Sequence, residues 1–233
     1  MSESLEVSIA GRAVEGRWVT AEHGTRIHVV DAMPGVMVLD YSAQVTGPGA
    51  RQVTTEADLL RYLRPSRYCE SDSLAPTARA EFYGLSGAEL LPAVSSWVGT
   101  RLTYVPGSSL PTDGAVRTLL ARQGVCRDYA HLVVALLRAL HVPARVVGVY
   151  APALDPMDFH AVAEAHIEGD WYVVDATTLA PRGTLLRVAT GRDASDTAFL
   201  SAYGGVVDLL SLEVSAVADT LPEDDLRVLA RLT

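Results

Sequence analysis

Short alternating runs of apolar and polar residues dominate the N-terminal part of the chain. The segments SLEVSIAGR, RIHVVDA and VMVLDYSAQVTG have the two-residue period of half-buried strands, separated by Gly, Pro and His-Gly breaks. The stretch TEADLLRYL then has the acidic first turn of a short helix and stops before Pro65. These patterns predict an N-terminal all-β lobe over residues 1–65.

From residue 75 onward the apolar period becomes helical. The segments LSGAELLPAVSSWVGTRL and LPTDGAVRTLLARQ predict helices, and VCRDYAHLVVALLRALH is the strongest helical stretch of the chain. The period returns to two in ARVVGVYA, HAVAEAHIE, WYVVDATT and GTLLRVA, which predicts successive strands. In EAHIEGDWYVV, Gly169 and Asp170 are predicted to form the tip of a hairpin.

The C-terminal segments have less regular patterns. Residues 191–205 are turn-rich, and VVDLLSLEVSAVA alternates as a last strand would. The remaining segment, DTLPEDDLRVLARLT, is interpreted as a short terminal helix. We therefore predict a core domain over residues 66–220 and a tail over residues 221–233.

Composition disfavours several classes of function. The net charge is −9, and the 19 basic residues are all scattered arginines, so no basic face for nucleic acid is expected. The sequence has no run of about 18 apolar residues, which predicts no membrane span. The N-terminus lacks a basic region followed by an apolar run, so no export signal is predicted.

Cysteine and lysine usage narrow the chemistry further. The chain has two cysteines and no CxxC motif, which disfavours a disulfide framework or a thiolate zinc site and makes a reducing cytoplasm the expected location. The absence of lysine excludes Schiff-base chemistry on the chain's own side chains. We predict no metal and no cofactor.

Cys126, in RQGVCRDYAHL, stands where the strongest helix begins. The unpaired N–H groups and dipole of a helix N-terminus favour the thiolate, which is the reactive form of cysteine. The backbone N–H of Cys126 would also be one donor to an oxyanion. The alternative is that Cys126 is a small buried apolar residue.

A nucleophilic thiol needs a base, and the neighbours of Cys126 in sequence do not face it. Asp128 and His131 lie about 200° and 140° around the helix, so His131 is interpreted as a packed or capping residue. His160 and Asp175 share one face of the predicted hairpin by strand parity. In an ideal register, with Glu164 opposite Asp175, His160 and Asp175 are about 13 Å apart along the strand. Pattern alone therefore leaves two possibilities open, a Cys126–His160–Asp175 triad and a structural cysteine.

Residues 85–180 resemble the transglutaminase-like superfamily, specifically its microbial branch. The motifs that carry the resemblance are GVCRD followed by an aromatic residue and AHL, RALxxPAR, DFHAxxE, and the aspartate of the hairpin's second strand, in the same order. The resemblance implies an α+β, papain-like core in which a thiol-bearing helix packs on an antiparallel sheet. It also implies that Cys126 is the nucleophile, His160 the general base and acid, and Asp175 the orienting acid.

Several residues near the thiol have two interpretations. Trp97 and Tyr104 are either core residues or walls of the acyl site, and Gln123 is either a second oxyanion donor or an exposed loop residue. Asp128 and Arg127 match family positions and are interpreted as structural hydrogen-bonding residues. Cys69, in a polar stretch without a helix start behind it, is interpreted as a bystander.

The resemblance implies attack of the thiolate on an amide or ester carbonyl through a thioester acyl-enzyme. We expect hydrolysis of a peptide or protein amide, as by a peptidase or amidase. Transamidation with an amine acceptor and a non-catalytic transglutaminase-like binding module are the alternatives.

Overall fold

The structure is a computed structural model that describes residues 1–47, 49 and 53–232. The chain forms two compact units, residues 1–50 and 51–233. The strands of the first unit are β1 (Ser2–Ile9), β2 (Arg12–Ala13), β3 (Arg17–Thr20), β4 (Arg26–Val29) and β5 (Met37–Gln44).

The first unit is all-β in its described residues, as the alternating pattern predicts. Strand β1 pairs antiparallel with β5 from Ser2–Gln44 to Ile9–Met37, and β2 adds to its other edge. Strands β3 and β4 form a separate antiparallel pair. Val7 and Ile9 are the buried apolar residues of this unit, so its core is small.

The second unit contains both helices and strands. Its helices are α1 (Glu56–Tyr62), α2 (Ser71–Glu81), α3 (Gly87–Arg101), α4 (Ala115–Ala121), α5 (Cys126–Ala139) and α6 (Ala194–Thr197), with a 3-10 turn at Arg182–Thr184. Its strands are β6 (Thr103–Tyr104), β7 (Gln123–Gly124), β8 (Ala144–Tyr150), β9 (Phe159–Ile167), β10 (Asp170–Val174) and β11 (Leu186–Gly191).

Helix α5 lies at the centre of this unit. Every residue from Asp128 to Ala139 is buried, and α5 packs against α2, α3, α4, β8 and β9. The sheet beside it is antiparallel with strand order β10-β9-β8-β11. Its apolar residues pack on both faces, with Ala163 on the α5 side and Val162 in a second cluster. The predicted α+β core, a thiol-bearing helix on an antiparallel sheet, is confirmed.

The boundary between the units differs from the predicted boundary after residue 65. Helix α1 forms as predicted, capped by Thr55 and Asp58, whose side chains each bond the other's backbone N–H. However, its buried Tyr62 lies edge-on to Trp171, with ring centroids 5.4 Å apart. This packing joins α1 to the second unit.

Two C-terminal predictions are wrong. The described residues from 198 to 232 contain no strand or helix, so the last strand expected at residues 206–218 and the terminal helix do not form. The alternating segment has no partner strand, and its apolar side chains are largely exposed, for example Val206 at 92%. Residues near the C-terminus instead bond to the core through Arg182, which contacts the carbonyls of Asp225 and Val228.

Candidate active site

Cys126 is the first residue of α5, as its sequence context predicts. Its side chain is half-buried there. The carboxylate of Asp128 accepts a hydrogen bond from the backbone N–H of Val125 at 2.8 Å, which caps the helix N-terminus. Gly124 permits this turn, because a Cβ there would lie 2.7 Å from Cβ of Asp128. The thiol therefore lies where N–H groups and the helix dipole favour negative charge.

Asp128 is fully buried in the framework of this turn. The hydroxyl of Ser109 donates to Oδ2 of Asp128 at 2.6 Å, and Arg127 donates to Oδ1 at 3.1 Å. Arg127 also donates to the carbonyl of Leu110 at 3.0 Å. These contacts hold the loop before α4 against the start of α5, in agreement with the structural roles expected for Asp128 and Arg127.

His160 and Asp175 lie together at one end of the β9–β10 hairpin. Nε2 of His160 lies 3.0 Å from Oδ2 of Asp175. Both residues are 2% exposed, so the pair is shielded from water. The structure therefore brings together the histidine and the acid that sequence pattern could only assign to one face.

The register of the hairpin explains part of this proximity. Ile167 pairs with Asp170, so Glu168 and Gly169 form the tip and the predicted Gly169–Asp170 tip is wrong. Both tip residues have positive φ, 52° and 83°, as a two-residue hairpin turn of this type requires.

The corrected turn shortens the separation expected from the sequence. Continuing the pairing of Ala163 with Val174 by one residue puts Asp175 opposite Val162 instead of Glu164. Asp175 is then two residues from His160 in register, where four were expected. The histidine and carboxylate side chains bridge the remaining distance.

Asp175 is held by residues that the sequence analysis did not single out. The hydroxyl and the backbone N–H of Thr177 both donate to Oδ1 of Asp175, at 2.7 and 2.9 Å. The hydroxyl of Ser95, on α3, donates to the backbone carbonyl of Asp175 at 3.1 Å. These bonds leave Oδ2 directed at His160. A threonine two residues after an aspartate is the sequence signal for such a local clamp.

The surroundings of His160 favour its protonated form. Burial alone would lower the pKa of His160, but the hydrogen bond to Asp175 and the nearby Cys126 thiol outweigh it and raise the pKa to about 10. Nε2 is occupied by Asp175, whereas Nδ1 is buried without a hydrogen-bond partner among the described residues. Nδ1 is therefore the ring nitrogen left for proton exchange.

Tyr104 lies next to Cys126, on the short strand β6. Burial and the charge of Cys126 raise the pKa of Tyr104 to about 12, although a hydrogen bond with the Cys126 backbone opposes this shift. The Tyr104 ring lies 6.0 Å from that of Tyr129, centroid to centroid. Tyr104 is 39% exposed and so is not a core residue, and its role as a wall of the acyl site stays a prediction.

Gln123 and Trp97 differ in their relation to the thiol. Gln123 is exposed on β7, which pairs with β6 beside Tyr104. The indole of Trp97 donates to Glu81 at 2.8 Å, lies edge-on to Phe82 and has the guanidinium of Arg101 over its ring. Trp97 is therefore a packing residue, and the alternative of an acyl-site wall finds no support.

The second cysteine and the helix histidine are buried structural residues. Cys69 is fully buried, not in an exposed loop, and burial raises its pKa to about 12, which disfavours the thiolate. His131 is also fully buried, stacks on Tyr68 and accepts the backbone N–H of Ala194. Burial lowers the pKa of His131 to about 4, so it is a neutral packed residue, as interpreted from the sequence.

A buried ion network supports the strand that carries His160. Glu164, 1% exposed, pairs with Arg145 at 2.6 Å and with Arg187 at 2.7 Å. The guanidinium of Arg145 lies 3.9 Å from the ring centroid of Trp171. The sequence signal for this network is an acid in the middle of an apolar strand, because a buried charge needs a partner.

Within the described ranges, no group of three or more His, Cys, Asp or Glu side chains could hold a metal ion. No helix in the described part of the chain combines the length and hydropathy needed to span a bilayer.

Comparison with known proteins identifies the family. The model of the transglutaminase-like superfamily matches residues 84–176, from just before α3 to the residue after Asp175. A crystal structure named "Putative Cysteine Protease from Cytophaga hutchinsonii" is 32% identical with a TM-score of 0.77, covering 93% of this chain and 82% of that chain. The chain belongs to the transglutaminase-like superfamily. This is a family of cysteine-dependent hydrolase type.

Mycobacterial relatives share shorter segments with this transglutaminase-like chain. "Uncharacterized protein ML0607" of Mycobacterium leprae is 30% identical over 122 residues, which are 48% of this chain and 44% of that protein. "Uncharacterized protein Rv2569c" of Mycobacterium tuberculosis is 43% identical over 68 residues, 29% of this chain and 21% of that protein. The chain thus spans less than half the length of these relatives.

Proposed function

We propose that the chain is a cysteine-dependent acyl-transfer enzyme that attacks an amide or ester carbonyl and hydrolyses the acyl-enzyme. The observation that carries this proposal is the buried His160–Asp175 pair at 3.0 Å, which leaves Nδ1 of His160 unpaired among the described residues and whose imidazole pKa is raised in part by the Cys126 thiol at the start of α5. A packed structural cysteine would not require a buried imidazole and carboxylate beside it. The arrangement has the nucleophile, base and orienting group of cysteine hydrolases.

The residues act in sequence in two half-reactions. The proton of the Cys126 thiol passes to His160, which holds it at neutral pH, and the resulting thiolate attacks the carbonyl carbon to form a tetrahedral oxyanion. Collapse of this oxyanion breaks the bond to the amine or alcohol, which leaves with the proton from His160, and a thioester remains on Cys126. Water then gives a proton to His160 and attacks the thioester, releasing the carboxylic acid and the thiol. Asp175 orients the imidazole throughout.

The oxyanion requires donors at the head of α5. The backbone N–H of Cys126 is the first, because the N-terminal N–H groups of a helix lack intrahelical partners. We assign Tyr104 as the second donor, because strand pairing places it opposite Gly124, two residues before Cys126, and Cys126 contributes to the raised pKa of its hydroxyl. The role of Gln123 in oxyanion binding stays a prediction from its position three residues before the thiol.

The substrate proposed here is a peptide or protein amide. The Cytophaga hutchinsonii protein carries the name of a putative cysteine protease, and its likeness extends over most of both chains. The cytoplasmic location, and the lack of nucleic-acid partners, metal and cofactors, stay predictions from the sequence.

Alkylation kinetics test the reactivity of the thiol. We expect iodoacetamide to modify Cys126 at least about 100-fold faster than Cys69, because only Cys126 lies beside an imidazole at a helix N-terminus. The His160→Ala variant should lose this rate advantage, whereas Cys69→Ala, the matched control, should retain it. Equal rates in wild type and His160→Ala would contradict the proposal and favour a non-catalytic binding module.

Product analysis tests the reaction. Peptide-based electrophilic probes should form an adduct on Cys126, located by mass spectrometry, and amide substrates should release carboxylic acid in wild type but not in Cys126→Ala. A labelled primary amine offered with a glutamine peptide tests the alternative acceptor. Incorporation of the amine in place of hydrolysis would overturn the hydrolytic assignment in favour of transamidation.

A further inference from the structure

An open cleft of about 250 Å³ adjoins the proposed reaction centre. Tyr104 and Thr177 both line it. Tyr104 pairs with Gly124, two residues before Cys126, and the Thr177 hydroxyl lies 3.4 Å from Nε2 of His160. A substrate whose carbonyl lies at Cys126 would therefore have neighbouring groups at the mouth of this cleft.

The cleft has an uncharged lining. Its residues are serines, threonines, tyrosines, small residues and one leucine, and no charged side chain lines it in the part of the chain that the structure describes. The hydroxyls of Ser95, Thr100 and Thr177 already donate to protein acceptors, so they offer lone pairs but no counter-charge. A charged side chain would lose hydration on entering without gaining an ion pair. The lining therefore suits an uncharged side chain.

Leu226 provides the large aliphatic surface of the cleft and comes from the C-terminal segment. Arg182, which is 5% exposed, holds this segment at Asp224, two residues before Leu226. Its guanidinium donates to both carboxylate oxygens of Asp224, at 2.8 and 2.9 Å, and its backbone N–H donates to the same carboxylate at 3.0 Å. It also donates to the carbonyls of Asp225 and Val228, at 2.8 and 3.0 Å. Leu226 is thus bracketed by bonds to one buried arginine.

The end of the same segment lies against β10, the edge strand of the sheet. The backbone N–H of Val173 donates to the carbonyl of Ala230 at 2.8 Å. Arg231 forms an ion pair with Asp170 at 2.6 Å. Because the segment is anchored on both sides of Leu226, that side chain is a fixed part of the cleft wall.

We propose that this uncharged cleft binds the side chain of the substrate residue that supplies the acyl group, and that Leu226 determines which side chain fits. This inference rests on the proposed function, because it requires acylation of Cys126. The chemical class of the substrate is then a residue with an uncharged side chain whose aliphatic part contacts Leu226. The C-terminal segment, distant in sequence from the thiol, contributes this specificity.

A matched series of probes tests the inference on the full chain. Peptidyl vinyl sulfones that differ only in the residue bearing the warhead, alanine, leucine, lysine or glutamate, are reacted with the protein, and the labelling rate of Cys126 is measured. We expect the alanine and leucine probes to react at least about tenfold faster than the lysine and glutamate probes. Leu226→Ala should lower the rate of the leucine probe relative to the alanine probe, because it removes the aliphatic surface that the leucine side chain contacts.

Leu226→Asp should reverse the charge preference by raising the rate of the lysine probe relative to the leucine probe at least about tenfold. Leu120→Asp and Leu120→Ala are the matched controls, because Leu120 is an exposed leucine of α4 that does not line the cleft. Their probe preferences should equal those of wild type. Iodoacetamide, which carries no side chain, should react with wild type and both Leu120 variants at the same rate, and each probe rate of the Leu226 variants is divided by that variant's own iodoacetamide rate.

The outcomes separate this inference from the proposed function. The assignment of the cleft would be overturned if labelling required His160 but was equally fast for all four probes. It would also be overturned if Leu226→Asp and Leu226→Ala left the probe preferences unchanged. Either result would leave the proposed cysteine chemistry standing. Failure of every probe to label Cys126 faster in wild type than in His160→Ala would overturn both.

Discussion

The imidazole of His160 and the carboxylate of Asp175 form a buried pair, with Nε2 and Oδ2 3.0 Å apart. Both side chains are shielded from water, and this burial by itself would lower the pKa of His160. The contact with Asp175 and the nearby Cys126 thiol outweigh burial and raise the pKa to about 10. The ring therefore holds its proton at neutral pH. A protonated imidazole beside a thiol stabilises the thiolate that nucleophilic attack requires.

The Asp175→Asn variant tests this pair directly. Loss of the carboxylate should lower the pKa of His160 towards its ordinary value of 6.5. In nitrogen-detected NMR, we expect the wild-type His160 ring to stay protonated at pH 8 and the variant ring to be neutral. His131 is the internal control, since burial holds its pKa at about 4 and the substitution does not touch it. Identical His160 titrations would contradict the pair.

The same shift predicts how stability depends on pH. A folded-state pKa of about 10 against 6.5 in the unfolded chain means that His160 stabilises the fold fully below pH 6.5 and loses this contribution as pH rises to about 10. The excess unfolding free energy of wild type over Asp175→Asn should be on the order of a few kcal/mol near pH 6. Denaturant titrations should show this excess decline towards pH 10, and an excess that grows with pH would contradict the assignment.

Much of the fold could be predicted from local patterns. The helical period after Gly124 predicted that Cys126 begins the central helix, and strand parity predicted that His160 and Asp175 share a face. These features depend on neighbouring residues along one element, so the sequence contains them. The family resemblance then supplied the proximity of His160 and Asp175, which parity left open.

The features that were missed depend on contacts between distant segments. Alternation predicted a strand at residues 206–218, but a strand requires a partner edge, and none is paired with it in the structure. The clamp by Thr177 and the wall formed by Leu226 arise from tertiary packing, which no spacing rule describes.

Cys69 should be protected in the native protein. Its thiol is fully buried, and burial raises its pKa to about 12, so reagents reach neither the sulfur nor a thiolate. We expect Ellman's reagent to label Cys126→Ala at least about 100-fold more slowly than wild type, and to label it readily in denaturant. Cys69→Ala should keep the fast native reaction. Rapid native labelling of Cys126→Ala would show that Cys69 is accessible.

Glu164 should be important for stability, although it lies outside the proposed chemistry. Burial alone would raise the pKa of Glu164, but Arg145 and Arg187 outweigh it and lower the pKa, so the carboxylate is charged and compensates two arginines. Glu164→Gln leaves these arginines without that charge and should cost about 3–5 kcal/mol of unfolding free energy. The control Glu89→Gln, on an exposed position of α3, should change it by less than about 0.5 kcal/mol. If urea denaturation gave an equally small loss of unfolding free energy for Glu164→Gln and Glu89→Gln, the stabilising role of the network would be contradicted.

Thr177 should act as a positioning residue through Asp175. Its hydroxyl donates to Oδ1 of Asp175 at 2.7 Å, which orients Oδ2 towards His160. Thr177→Val removes this donor at nearly constant volume, and we expect the alkylation rate of Cys126 to fall about tenfold to hundredfold. Thr177→Ser, which retains the hydroxyl, should restore most of the rate.

The titration of His160 separates positioning from a merely structural role. If Thr177 orients the carboxylate, Thr177→Val should lower the pKa of His160 from about 10 while Thr177→Ser leaves it near the wild-type value. A structural role alone would reduce the unfolding free energy in Thr177→Val and leave the His160 titration unchanged. The backbone N–H of Thr177 still donates to Asp175 at 2.9 Å in every variant, so the pKa should fall less than in Asp175→Asn. A fall as large as that in Asp175→Asn would mean that the hydroxyl alone orients the acid.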